Sequence, residues 1–427
     1  MRASACPAVD FRLRTLRKYS AGVQSLKPVV RHLPELGMKA GSLLWPANAA
    51  VVARNCFALA SGSPWRDYVA RSGGAPVLDG AVASAVDWLC RSQDTVGSGG
   101  VGCYEMYRWT AGYPEVTGYI IPTFFDCASR LDRPDLRERA VRMAEWELRT
   151  QRPEGGWEGG YEGDGRPTVV FNTGQVIRGL SRAWEETGEK RYLDAALRGA
   201  DWIVENQEPD GSWSKHNFKG MKRVYDSYVA APLAQLARAT GIDRYAESAA
   251  ANCSFVLRHQ RENGWFDHAD NSPYFTDAPV THTICYTIDG LIETGEILSA
   301  DGLIAAGKKA ADALLLEIEA APSLRGRFDA AWHPTVRFAC LTGAAQLGIV
   351  FLRLHARTGE RRYAEAAAKL VDFLVWAQRL NAVGKNRRGA IAGSFPIWGL
   401  YCPLKYPSWA TKYFIDLLLL ARLGPEA

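Results

Sequence analysis

The chain predicts an all-α fold, an (α/α)6 toroid of six inner and six outer helices behind a short N-terminal extension. Three observations carry that expectation. A helical stretch running fifteen residues from an apolar or tyrosine anchor to its end occurs six times, at intervals of 53 to 60 residues, and such a period marks a repeat architecture. More apolar helical stretches fall between the copies, so outer and inner helices alternate. The series opens on an unpaired outer stretch and ends on an unpaired inner one. Those two pair only if the ring closes, each pair burying its apolar face against neighbours on both sides.

Taken in order, Leu78 to Gln93 is the first outer stretch, and the first inner helix starts near Pro114. Leu136 to Gln151 precedes an inner helix from near Val169, and Tyr192 to Gln207 precedes one from near Val224. Tyr245 to Gln260 and Leu303 to Ile318 lead to inner helices near Val280 and Phe338; Tyr363 to Gln378 leads to the last, near Tyr406. Three outer stretches share a leader of Thr-Gly, two variable residues and Arg-Tyr, at Thr187 to Tyr192, Thr240 to Tyr245 and Thr358 to Tyr363. The outer stretches stop at their glutamines. Gln151 to Trp157 and Gln207 to Trp213 both read Q-x-x-x-G-x-W, and Gln260 to Phe266 fits with Phe last. There the glycine takes the left-handed conformation that ends a helix, the aromatic packs over the helix end, and the glutamine amide can bond free backbone groups.

These turns resemble the QW motifs of the squalene-cyclase and prenyltransferase toroid superfamily, and they speak for fold rather than catalysis. In that superfamily cyclisation begins at an aspartate-rich acid motif or a metal-bound diphosphate; this chain has no two adjacent aspartates, so neither motif can be drawn. A second resemblance covers roughly residues 75 to 425. The strings Tyr113 to Thr123, Cys340 to Gln346 and Tyr406 to Asp416 are similar to those of bacterial toroid proteins associated with exopolysaccharide and O-antigen biosynthesis. It implies a surface-polysaccharide biosynthesis protein whose partner is a glycan or a lipid-linked oligosaccharide.

At 427 residues and 47% hydrophobic, the chain can bury a large core. The repeat assigns residues 73–427 to one toroid and leaves residues 1–72 as a basic extension. Arg12, Arg14, Arg17, Lys18, Lys27 and Arg31 fall there with no acid between Asp10 and Glu35. Segment 11–31 thus suits either peripheral membrane contact or an arm on the barrel rim. No apolar run reaches the ~18 residues of a membrane span. The net charge of +5 is modest and not concentrated in the barrel, which argues against nucleic acid. Nine cysteines without paired short spacing suit neither a disulfide framework nor a Cys-x-x-Cys metal site, so the cytoplasm is expected. No phosphate-cradling loop, G-x-S-x-G or H-E-x-x-H motif is present, so neither a metal nor a cofactor is expected.

In such a toroid the outer-to-inner loops and the first turns of the inner helices meet at one concave mouth. Glu115, Asp226, His282 and Tyr225 are the candidate catalytic residues. Candidate substrate contacts are Tyr104, Glu105 and Tyr119 at the first inner helix, then Trp157, Asn172, Gln175 and Tyr228. Tyr286, Arg337, Gln346, Trp409 and Lys412 complete them, with Tyr161 and Tyr274 in the same loops. Aromatic faces stack on sugar rings while carboxylates and amides bond hydroxyls, so a glycan fits.

Three chemistries compete. On a uronate, Asn172, Gln175, His282 and Arg337 neutralise the carboxylate while Tyr225 or Tyr286 moves the C5 proton, giving elimination or epimerisation. On a neutral sugar, Glu115 with Asp226 or Glu105 acts as acid and base across a glycosidic bond. The third is a non-catalytic glycan-binding scaffold. From another class comes an isoprenoid-handling cyclase or prenyltransferase-like protein. Structural roles stand beside each choice: Glu115 and Asp226 favour helix starts through the dipole, the tyrosines pack, and Trp157 belongs to its turn.

Overall fold

Inner and outer helices differ in how much of their surface the sequence hides. In Thr281–Ile297 every residue from Thr281 to Gly295 is buried, as in a helix with neighbours on all sides. In Lys190–Glu205 burial is confined to one stripe led by Tyr192, Ala195, Ala196 and Gly199. The computed structural model describes residues 46–60, 75–272, 277–321 and 323–423. A leading helix α1 (Pro46–Ala60) is followed by α2 (Ala75–Val96), α3 (Pro114–Arg130), α4 (Pro134–Thr150), α5 (Val170–Thr187) and α6 (Lys190–Glu205). Then come α7 (Ser227–Thr240), α8 (Asp243–Arg258), α9 (Thr281–Ile297), α10 (Asp301–Ala320), α11 (Leu341–Thr358), α12 (Arg361–Asn381) and α13 (Ser408–Leu423).

From α3 to α13 the odd-numbered helices form the inner ring, each packed on two inner neighbours, and α2 to α12 surround them as the even series. The ring closes: α2 packs on α13, with Arg422 paired to Asp79 at 2.7 Å. Two-stranded ladders trim the loops, β1 (Tyr104–Glu105) with β2 (Arg108–Trp109) and β3 (Ala339–Cys340) with β4 (Ser394–Phe395), both antiparallel. Connections from inner to outer helices are short, such as 131–133 and 188–189, whereas those from outer to inner are long, such as 151–169 and 382–407. One end of the barrel is therefore trimmed close, and the other carries the loops.

The glutamines expected to finish the outer helices make a repeated clasp. Each amide nitrogen donates twice, to a glycine carbonyl in its own loop and to a carbonyl on the next outer helix. Gln151 bonds Gly155 O (2.7 Å) and Ala195 O (2.9 Å), and Gln207 bonds Gly211 O and Ser248 O, both at 3.0 Å. Gln93 and Gln260 repeat the pattern with Gly99 and Arg139 and with Gly264 and Ala306. Gln378 of α12 reaches Ala81 O of α2 at 3.1 Å, together with Gly389 O at 2.9 Å, so the last clasp spans the junction of first and last repeats. Gly211 shows why this loop needs glycine: φ is +86°, and a Cβ would stand 2.2 Å from Ala251 O.

The Thr-Gly-x-x-Arg-Tyr leader also has a structural reading. The threonine hydroxyl caps its inner helix, as Thr187 does on Ala183 O at 2.6 Å. The tyrosine hydroxyl reaches an acid on the preceding outer helix: Tyr192 bonds Glu145 and Tyr245 bonds Asp201, both at 2.5 Å, and Tyr363 bonds Asp312. Helix α1, which falls within the expected extension, docks on the toroid through Asn55 to Asn381 at 2.9 Å and through Arg387 to Asn48. Segment 11–31 lies outside the described residues. Among the described residues no helix is long and apolar enough to cross a membrane.

Candidate functional site

The long loops cover the N-terminal ends of the inner helices, and Glu115 sits there in the first turn of α3. Pro114 opens that helix, its fixed φ matching a first helical position. The Glu115 carboxylate accepts from Tyr113 Oη at 2.7 Å and is half-buried. Burial pushes its pKa up to about 7, outweighing the Tyr113 hydrogen bond that lowers it. The Tyr113 ring meets Tyr161 and Trp409 edge-on, with centroids 5.4 and 6.3 Å away. Lys405 donates to Tyr161 Oη at 2.5 Å and pairs with Glu105 at 3.2 Å. For Glu105 burial acts upward, but Lys405 and Arg108 win and hold the carboxyl low. One wall of the mouth is thus aromatic and cationic around a protonatable acid.

Across the barrel, His282 of α9 packs on Tyr286 at 4.3 Å and Tyr401 at 5.5 Å, and Trp409 Nε1 donates to Tyr401 Oη at 2.7 Å. His282 Nδ1 lies 2.7 Å from Gln346 Oε1. An amide oxygen only accepts, so we assign the proton to Nδ1, leaving Nε2 with its lone pair. Burial pulls the imidazole pKa down to about 4, so His282 is neutral. Gln346 Nε2 is buried without a partner. Beneath these groups lies a layer of tyrosines: Tyr228 and Tyr286 have centroids 4.7 Å apart, Tyr119 and Tyr413 5.8 Å, and Tyr413 Oη donates to Tyr228 Oη at 3.1 Å. Tyr225 packs on Phe171 at 5.5 Å. Burial raises the phenols of Tyr119, Tyr225, Tyr228 and Tyr286.

Contacts therefore gather Glu115, Trp409, His282, Gln346, Tyr286 and Tyr225 around one end of the barrel axis, with Tyr161 and Glu105 at its edge. Other candidates are engaged elsewhere. Asp226 is wholly buried and accepts from Asn217 Nδ2 at 2.5 Å; burial holds its pKa well above the usual carboxylate range. Trp157 is wholly buried and donates to Glu147 O at 2.9 Å, closing the turn after α4. Tyr104 donates to Met106 O at 3.0 Å, Asn172 to Glu158 O at 2.9 Å, and Gln175 to Tyr228 O at 3.3 Å. Arg337 is exposed on the loop before β3. Lys412 belongs to the opposite end, paired with Asp416 at 2.7 Å, and Tyr119 and Tyr228 line the cavity there. Tyr274 lies outside the described residues.

The sequence reading passed over Tyr113, Tyr401 and Lys405, which the loops fold in, and Arg178, Asp289, Glu293 and Arg353. The last four carried a usable signal, formal charges inside helices that otherwise bury every face.

Residues 111–289 match the model of the squalene-hopene cyclase C-terminal domain. No curated protein matches the chain in sequence. Among solved structures, an unsaturated glucuronyl hydrolase specific for heparin is similar at a TM-score of 0.66 and 14% identity, over 82% of this chain and 97% of that one. An unsaturated glucuronyl hydrolase from a Bacillus species reaches 0.63 at 16%, over 81% and 97%. Cellobiose 2-epimerase from Bacillus thermoamylovorans reaches 0.62 at 9%, over 80% and 98%. At such identities the likeness is one of fold, an α/α toroid shared with squalene-cyclase-like and glycan-processing proteins.

Proposed function

From an α/α toroid with squalene-cyclase-like turns, we propose a carbohydrate-active enzyme that cleaves a glycosidic bond at the loop end of the barrel, with Glu115 as general acid. One observation carries this reading: a half-buried carboxyl with its pKa raised to about 7 stands beside aromatic faces at the mouth. A carboxylic acid so tuned donates a proton at neutral pH, the task of the acid in glycoside hydrolysis. Elimination and epimerisation begin instead with a base that removes a carbon-bound proton. The groups near Glu115 suit that poorly: the tyrosines are pushed up and stay protonated, and His282 is pulled down to about 4. The glycan-processing neighbours support a sugar substrate. The similarity of Tyr113 to Thr123 and Tyr406 to Asp416 to exopolysaccharide and O-antigen toroids supports a polymer or lipid-linked oligosaccharide of the bacterial surface.

Incubation of the purified protein with polysaccharide or lipid-linked precursor from its own source, followed by mass analysis, tests this. Hydrolysis adds one water across the products. Loss of water, or solvent deuterium uptake at constant mass, would replace it with elimination or epimerisation. A second reading, isoprenoid cyclisation, draws on the squalene-hopene cyclase match; conversion of a polyprenyl substrate with no action on glycan would favour it.

A further inference from the structure

At the short-turn end the inner helices enclose a cavity of about 300 Å³, and its wall is charged where an inner ring would otherwise pack apolar side chains. Arg178 of α5 grips Glu293 of α9 through two hydrogen bonds, 2.6 and 2.9 Å, and Gln235 of α7 adds a third at 2.8 Å. Arg353 of α11 bonds Asp289 at 2.8 Å. Lys412 of α13 pairs with Asp416 at 2.7 Å, which also accepts from Thr123 at 2.7 Å. Every one of these carboxylates has a cation.

The donors exceed what the carboxylates use. A guanidinium carries five N–H groups and an ammonium three. Arg178 spends two of its five on Glu293, and its side chain keeps 12% of its exposure. The Lys412 side chain is 8% exposed and its ammonium lies 4.2 Å from the Tyr413 centroid and 5.2 Å from that of Tyr119. Including Arg130, Arg182 and Asp126, the lining holds five cationic side chains against four carboxylates. Solvent reaches the wall, since the side chains of Arg353 and Asp416 keep 31% and 22% of their exposure. Burying ions costs several kcal/mol each, and apolar residues of equal volume hold a fold at least as well, so stability alone gives no reason for this wall.

We infer that this cavity is a second binding site, for a small anion on a hydroxyl-bearing body, a sugar-sized carboxylate or phosphate. The volume lies at the lower end of small-molecule pockets, close to one sugar ring. Surplus Arg178 and Lys412 donors take the anionic group, while Tyr228 and the outward lone pairs of the carboxylates take hydroxyls. The tyrosine layer separates it from Glu115, and the inference stands independently of the chemistry proposed at the mouth.

Calorimetric titration of the full chain at low salt with glucuronate, with inorganic phosphate and with uncharged glucose tests it. Saturable binding of at least one anion, and none of glucose, is expected. Lys412→Met should weaken that binding by about tenfold or more. Leu420→Trp, which fills the rim without touching an ion pair, should do the same; if Lys412→Met melts too low to assay, Leu420→Trp decides alone. Glu115→Gln should bind as wild type. No anion binding in the wild-type chain, unchanged binding in both cavity variants, or loss of binding in Glu115→Gln would each overturn the site.

Discussion

Glu115 holds a proton in the folded chain that it has lost in the unfolded one. Its folded pKa, about 7, stands above the ~4.3 of a free glutamate, so its favourable contribution is complete below about pH 4 and disappears as pH rises through 7. Glu115→Gln should therefore match wild type in urea denaturation at pH 4 and exceed it by about 3 kcal/mol at pH 8. The same substitution should cost roughly a hundredfold in turnover while far-ultraviolet circular dichroism stays unchanged, and wild-type activity should decline as pH climbs past about 7. His282 runs the other way. Its folded pKa, about 4, lies below the ~6.5 of a free imidazole, so its contribution is present above that value and lost as pH falls toward 4. His282→Gln should flatten the acid limb of the stability profile measured by thermal melting. Glu115, His282 and Trp409 were legible because they stand at inner-helix starts, where the repeat places the mouth. Asp226 and Trp157 share that position in the sequence, but Asp226 accepts from Asn217 of its own loop and Trp157 donates to the end of α4, and nothing in the repeat distinguishes a residue facing the axis from one facing its own loop.

At the level of elements, most packing lies between inner helices and between each outer helix and its inner partners, and the glutamine clasps add links between successive outer helices. The glutamine clasps were half legible. Q-x-x-x-G-x-W points to Gln207 and Gly211, whereas the partner on the next helix, Ser248 O, is backbone and leaves no trace in residue identity. Gln207→Leu should cost about 1–3 kcal/mol, because it removes two hydrogen bonds that tie the helix end to its loop and its neighbour. Gly211→Ala should cost more, about 3 kcal/mol or above, since it combines a positive φ with backbone contact; urea midpoints of the two variants give the order. The leader's partners could have been read. Glu145, Asp201 and Asp312 each stand nine residues beyond the anchors Leu136, Tyr192 and Leu303, so the tyrosine hydroxyls had an acid waiting at a fixed offset. The charged inner-helix positions went unread for a different reason: a 3.6-residue period reports burial, and buried charge is invisible to a pattern that assumes burial means apolar.

For the whole molecule, closure decides how unfolding spreads. In an open stack the end repeats lose one neighbour and fray first. Here α2 and α13 cover one another, and Gln378 clasps Ala81 as its counterparts clasp theirs. Amide hydrogen exchange should therefore show α2 and α13 as protected as α7 and α9, and Gly389→Ala, whose Cβ would stand 1.8 Å from Ser84 O, should destabilise at least as much as Gly211→Ala. Early exchange confined to α2 and α13 would contradict the closed ring. Circularity itself was legible from the unpaired opening and closing stretches; the side-chain pairs that seal it were not, because Asp79 and Arg422 are separated by nearly the whole sequence.

The Arg422 to Asp79 contact also marks the seam where a sixth short turn would sit, on the trimmed face of the barrel. Stitching that seam with a few flexible residues, dispensing with α1, and opening the backbone instead between Gly241 and Ile242 would relocate the termini without disturbing a single helix-to-helix surface of the ring. A permuted chain of this kind would keep every outer-to-inner loop continuous, the 382–407 loop giving up its bonds to Asn48 and Asn55 of α1, which makes the toroid a scaffold whose beginning is arbitrary.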